Sequence, residues 1–174
     1  MPSPTRIVMR TAEPADADGI HALITANLAD GHLLPRAIGE VMQHVARFVV
    51  AARGRQIVGC AELAPLSPQV AEVRSLTVDA SARHHRIGTR LVEELRLRAR
   101  RDGFDQLCAF THAPGYFIPM GFSIVPHLWL TEKVYTDCVK CSKFRACGQY
   151  AMVLPLETIV DSVEHDTRSL AVHA

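Results

Sequence analysis

The stretch Leu76 to Leu95, LTVDASARHHRIGTRLVEEL, changes its hydrophobic period half-way along. An apolar run ending at Val78-Asp79, a polar turn from Ala80 to Arg86, and helical spacing from Ile87 onward predict a strand, a loop and a helix within about twenty residues. Such a loop makes an anion site. The first amides of such a helix lack partners inside it and point into the loop, where the positive end of the helix dipole favours phosphate oxygens. Arg83 and Arg86 bring full charges to the same corner.

The rest of the chain supplies the frame. At 174 residues it reads as one domain with one core. Residues Arg6 to Thr11 predict a first strand. Glu13-Pro14 then starts a helix with Ile20, Leu23, Ile24 and Leu28 on one face and Gly31 as its stop. A second helix is expected from Pro35, with Ile38, Val41, Met42 and Val45. Phe48 to Ala52 and Ile57 to Leu63 form a hairpin, and Val70 to Val78 is the next strand. After the long helix, which Gly103 ends, come a strand at Gln106 to Thr111 and a short helix at Pro114 to Met120 closed by Gly121. Strands at Phe122 to Val125 and Tyr150 to Leu156 complete the set. The order β, α, α, β, β, β, α, β, α, β, β is an α/β domain around one mixed sheet. From Glu157 to Ala174 a polar tail is expected to be mobile.

Arg83-His84-His85-Arg86-Ile87-Gly88 resembles the Q/R-x-x-G-x-G/A pyrophosphate loop of the GNAT superfamily, the acyl-coenzyme A dependent N-acyltransferases, with Arg86 standing where the first glycine belongs. The element order resembles the same fold over residues 1–156, with a cysteine-bearing insertion at about 131–148. Asp30-Gly31-His32-Leu33-Leu34-Pro35-Arg36, Ile57-Val58-Gly59-Cys60-Ala61-Glu62-Leu63 and Ala71-Glu72-Val73-Arg74-Ser75-Leu76-Thr77-Val78 are similar to the transferase domain of bacterial N-acetylglutamate synthases. This resemblance implies a splayed central sheet and transfer of acetyl from acetyl-CoA to the α-amine of L-glutamate, the first step of arginine biosynthesis. It implies that the main chain of Leu76, Thr77 and Val78 holds the pantetheine arm. The loop from Arg83 through His84, His85, Arg86, Ile87 and Gly88 to Thr89 would hold the pyrophosphate.

Each chemical requirement has a candidate. Glu72 and Arg74, two apart on a strand, share a face, so Glu72 can serve as base through a water or simply neutralise Arg74. Two substrate carboxylates call for arginines, and Arg36 and Arg74 are the choices. For the acid that protonates the leaving thiolate, the family's usual tyrosine position holds Phe117. Tyr116 is adjacent, turned by about 100° on a helix and so able to face elsewhere. Cys138, Cys141 and Cys147 give C-x2-C-x5-C, which allows a structural zinc with His127 or Asp137 as fourth ligand, plain packing, or redox cycling.

Composition excludes some partners. The 19 Lys and Arg against 18 Asp and Glu leave no global field that would point to nucleic acid or a membrane surface. No apolar segment reaches the roughly 18 residues that span a bilayer, and Met1 to Arg6 lacks a signal-peptide core, so a cytoplasmic location is expected. Five cysteines, an odd number, argue against a disulfide framework, and Cys60 and Cys108 read as buried hydrophobes. The expected partners are therefore small molecules, L-glutamate and acetyl-CoA, with a homodimer allowed. Two alternatives keep the loop but change the outcome: another amine as acceptor, or a non-catalytic acetyl-CoA sensor.

Overall fold

A computed structural model describes residues 6–30 and 33–157. Gly31, the expected stop of the first helix, and the polar tail from residue 158 lie outside the described residues, as do residues 1–5. The strands are β1 (Ile7–Thr11), β2 (Phe48–Arg53), β3 (Gln56–Pro65), β4 (Val70–Val78), β5 (Gln106–Thr111), β6 (Ser123–Val125) and β7 (Tyr150–Pro155). They form one sheet in the order β1-β2-β3-β4-β5-β7-β6. All neighbours are antiparallel except β4 and β5.

Helix α3 (Ile87–Arg101) makes the parallel crossover from β4 to β5. Its sequence is amphipathic: Ile87, Leu91, Val92, Leu95 and Ala99 are buried against one face of the sheet. Arg98, Arg100 and Arg101 sit in its last turn, where cations suit the dipole. Gly59 on β3 permits the close approach, since a β-carbon there would stand 3.0 Å from Ile87 Cγ2. The opposite face carries α1 (Ala17–Ala26) and α2 (Ile38–Gln43), whose Ile20, Leu23, Ile24 and Val41 pack on Phe48, Val50 and Cys60.

Two helix boundaries differ from expectation. Helix α1 ends at Ala26, because the Asn27 side-chain amide donates to Leu23 O at 2.8 Å and its backbone N–H to Ile24 O, so the chain leaves the helix there. Helix α2 starts at Ile38, with Pro35 and Arg36 in the extended segment before it, and only Val41 is buried; Ile38 and Met42 face solvent. Arg36 is therefore not in a first helical turn. A helix absent from the sequence reading, α5 (Thr131–Thr136), occupies the insertion.

Two features of β4 shape the site. Cys60 pairs with Thr77 but Glu62 with Arg74, so β4 holds one extra residue, and Ser75 there adopts φ +52°. This bulge shifts the alternation: Ala71 and Val73 pack toward α3, and beyond the bulge Leu76 and Val78 take that role. Pairing of β4 with β5 also stops early, at Val73 and Ala109, although β4 runs on to Val78. The sheet splays open at its middle, as expected.

Candidate active site

A single cleft of about 1310 Å³ follows the splay. One end is the loop between β4 and α3. Asp79 accepts from Ser81 N at 2.9 Å and also from its hydroxyl, contacts that hold the Asp79 carboxyl below its ordinary value. His84 and Arg86 both take left-handed backbone, φ +69° and +55°, so the loop reaches a conformation that glycine adopts most readily. Arg86 is the N-cap of α3 and makes no side-chain cap, which leaves the helix head aimed at the cleft. Arg83 reaches back instead: its Nε donates to Val78 O at 3.3 Å and its Nη2 to Asn27 Oδ1 at 2.8 Å.

Tyr116, on α4 (Pro114–Phe117), closes this end. Its hydroxyl lies against Gly88, where a β-carbon would displace it. Burial raises the phenol above its ordinary value, with the Thr89 contact opposing. Phe117 is the core member of the aromatic pair, buried and edge-on to Phe122 at 5.2 Å. The tyrosine one position before the family's usual place thus faces the cleft, not elsewhere.

The other end holds a charge cluster. Glu72, 4 % exposed, accepts through one oxygen, Oε2, from both Arg74 Nε and Lys133 Nζ, the latter at 2.8 Å. Arg74 also reaches Asp137, which Lys133 bonds at 2.8 Å. Burial pushes the Asp137 carboxyl up, but Lys133 and Arg74 outweigh it and hold the group below its ordinary value. Lys133 rests over the Phe110 ring at 5.3 Å. Across the cleft Arg36 pairs with Glu62 at 2.7 Å and Glu40 at 3.0 Å, and its Nε is buried without a partner.

Leu76, Val78, Arg83, His84, Arg86, Ile87, Gly88, Thr89, Tyr116, Glu72, Arg74 and Arg36 all line this one cleft. Thr77 and His85 do not; Thr77 is buried, and its hydroxyl lacks a partner. Sequence reasoning missed Lys133 and Glu62. Glu62 left a signal, since a carboxylate within the apolar run of β3 must find a cation if that run is buried. Lys133 left none, because only the fold of the insertion brings it to β4.

The zinc expectation fails on this arrangement. Among the described residues no group of three or more His, Cys, Asp or Glu side chains could hold a metal ion. Asp137 is taken by Arg74 and Lys133, and the His127 ring packs on Phe110 at 5.6 Å. Cys60 and Cys108 are fully buried, as expected, and burial pushes the Cys60 thiol up to about 12.

A helix head open to a groove along a splayed strand, with ionisable groups at the far end, defines a class: proteins that hold a phosphate-bearing carrier and present its far end to a second substrate. Comparison with known proteins names the class. The acetyltransferase (GNAT) domain family matches residues 44–124. An uncharacterised N-acetyltransferase of Chlorobaculum tepidum is 31 % identical over 148 residues, 85 % of this chain and 96 % of that one. An amino-acid acetyltransferase of Ralstonia nicotianae is 34 % identical over 116 residues, 66 % of this chain but 26 % of its own length, so the chain spans about a quarter of that relative. Among solved structures, N-acetylglutamate synthase from Neisseria gonorrhoeae with coenzyme A and N-acetyl-glutamate superposes with a TM-score of 0.75. It is 23 % identical, covering 87 % of this chain and 35 % of that one. A Mycobacterium tuberculosis protein in complex with CoA gives 0.73 at 23 % identity, covering 86 % and 99 %. The chain belongs to the GNAT family of acetyltransferases.

No helix among the described residues is long and apolar enough to cross a membrane.

Proposed function

We propose that this acetyltransferase moves the acetyl group of acetyl-CoA to the α-amine of L-glutamate within a ternary complex. The observation that carries the reading is the continuity of the cleft from the head of α3 to Arg36, Arg74 and Lys133. In this reading the loop amides from His84 to Thr89 bind the pyrophosphate, and the free edge of β4 at Leu76 to Val78 aligns the pantetheine arm. The acceptor's carboxylates take donors from Arg36, whose Nε has no other partner, and from Arg74.

The chemistry then needs three proton movements. Glu72 takes a proton from the ammonium through a water, exchanging its bond to Lys133 for one to that water. The amine attacks the thioester carbonyl, the C–N bond forms, the nitrogen gives its second proton to solvent, and the tetrahedral intermediate collapses with loss of the C–S bond. Tyr116, whose phenol keeps its proton at neutral pH even at its ordinary value, gives that proton to the departing thiolate.

One observation favours a second reading, in which the acceptor is a different amine: Arg36, Arg74 and Lys133 are each already matched by Glu62, Glu72 or Asp137. Incubating the protein with acetyl-CoA and each amino acid singly, then weighing the products, separates the two. Glutamate gaining one acetyl group far faster than other amines is the expected outcome; equal rates across amines would overturn the first reading.

A further inference from the structure

Three of the five cysteines have no part in the reaction above, yet they stand in the wall of its cleft. Cys138 and Cys141 are partly exposed and Cys147 is exposed, whereas Cys60 and Cys108 are shut in the core. We propose that Cys138 is the centre of a thiol site at the acceptor end of the cleft, forming one reversible disulfide with either Cys141 or Cys147.

The local geometry brings the partners together. Cys138 and Cys141 lie at the two ends of a single 3-10 turn, with Cys141 N donating to Cys138 O at 3.0 Å. Such a turn keeps its end Cα atoms within about 7 Å, inside the range a disulfide spans. Cys147 follows the next turn, Phe144–Ala146, which is in contact with the first. Burial raises the Cys138 thiol, with Lys133 opposing. Between Cys138 and Cys147 the chain carries Lys140, Lys143 and Arg145 and no carboxylate.

The redox step is complete with a hydroperoxide as oxidant. One thiolate attacks a peroxide oxygen, giving a sulfenic acid and hydroxide. The second thiolate attacks that sulfur and expels hydroxide, so the two thiols lose two protons and two electrons while hydrogen peroxide becomes two waters. A small dithiol reverses the step. Coupling to the cleft runs through Asp137, which directly precedes Cys138 and binds both Arg74 and Lys133. A disulfide at Cys138 fixes this turn and with it Asp137. That coupling rests on the reading of this end as the acceptor site.

The test uses the full chain and hydrogen peroxide, with intact mass and peptide mapping as readouts. Loss of two hydrogens, restored by dithiothreitol, is expected in the wild type and in Cys141→Ser and Cys147→Ser singly, but not in Cys138→Ser. Wild-type protein that shows no such loss, or a disulfide that survives in Cys138→Ser, overturns the proposal. Loss of the disulfide in either other variant overturns the two-partner arrangement. Oxidation should also raise the acceptor KM by about threefold or more with the acetyl-CoA KM unchanged; an unchanged acceptor KM overturns the coupling. The mass readout needs no turnover, so it stands or falls apart from the acceptor assignment.

Discussion

The hydroxyl of Tyr116 occupies the space that a β-carbon on Gly88 would need, so the second glycine position of the loop and the aromatic residue of α4 are fitted to each other. Gly88→Ala therefore displaces the phenol, which can swing because Tyr116 is 42 % exposed. Stability should change little while kcat falls by about tenfold or more. Since a Phe ring has no atom at the clash, Gly88→Ala should cost much less in a Tyr116→Phe background. Additive kcat losses in this double-mutant cycle would show that the two residues act separately.

Arg86 holds left-handed backbone at the N-cap of α3 without a capping bond in return. Arg86→Gly should raise unfolding stability by about 1 kcal/mol, measured by urea denaturation. A fall in stability would mean that the guanidinium holds the loop in some other way. The same variant should bind coenzyme A more weakly if the charge contacts the pyrophosphate.

Arg36 neutralises Glu62, whose side chain is 1 % exposed, so its two roles must be separated. Arg36→Met alone leaves that carboxylate to His44 and Arg47 and should cost about 3 kcal/mol. Adding Glu62→Gln should recover most of this. The acceptor KM should stay high in the double variant while that of acetyl-CoA stays near wild type. Recovery of the acceptor KM along with stability would assign Arg36 a folding role only.

At the far side of the sheet, Arg10 binds Asp16 at 2.6 Å, and Asp16 accepts from Glu13 N at 2.7 Å at the start of the first helix. The Arg10 hydrogen bond, against some desolvation, lowers the Asp16 carboxyl from its ordinary 3.8. A depressed folded value gives stability that is present above 3.8 and is lost as pH falls through the folded value. Asp16→Asn should thus flatten the acid limb of the stability curve and lower stability near neutral pH. An unchanged acid limb in urea titrations at stepped pH would reject this.

Much of the fold was legible because its signals are local. The period change at Val78 and Ile87 and the apolar face of α3 each depend on a few adjacent residues. Where prediction missed, a contact distant in sequence or a side chain had intervened. Asn27 ended α1 early through its own amide, and Met42, apolar and at helical spacing, found nothing to pack on. Placing Tyr116 needed the path of α4 past Gly88, which no spacing rule contains.

The sequence by itself determined the order of the strands, the strand–loop–helix passage from Val78 to Ile87 and the burial of Cys60 and Cys108, because periodicity, turn chemistry and burial of apolar runs act over short distances. Only the tertiary structure decided how the charges are shared. Glu62 meets Arg36 across 26 positions, and Lys133 meets Glu72 across 61. A buried charge takes whichever opposite charge the packing brings within reach, and that choice exists only once the sheet has splayed and the insertion has closed over it.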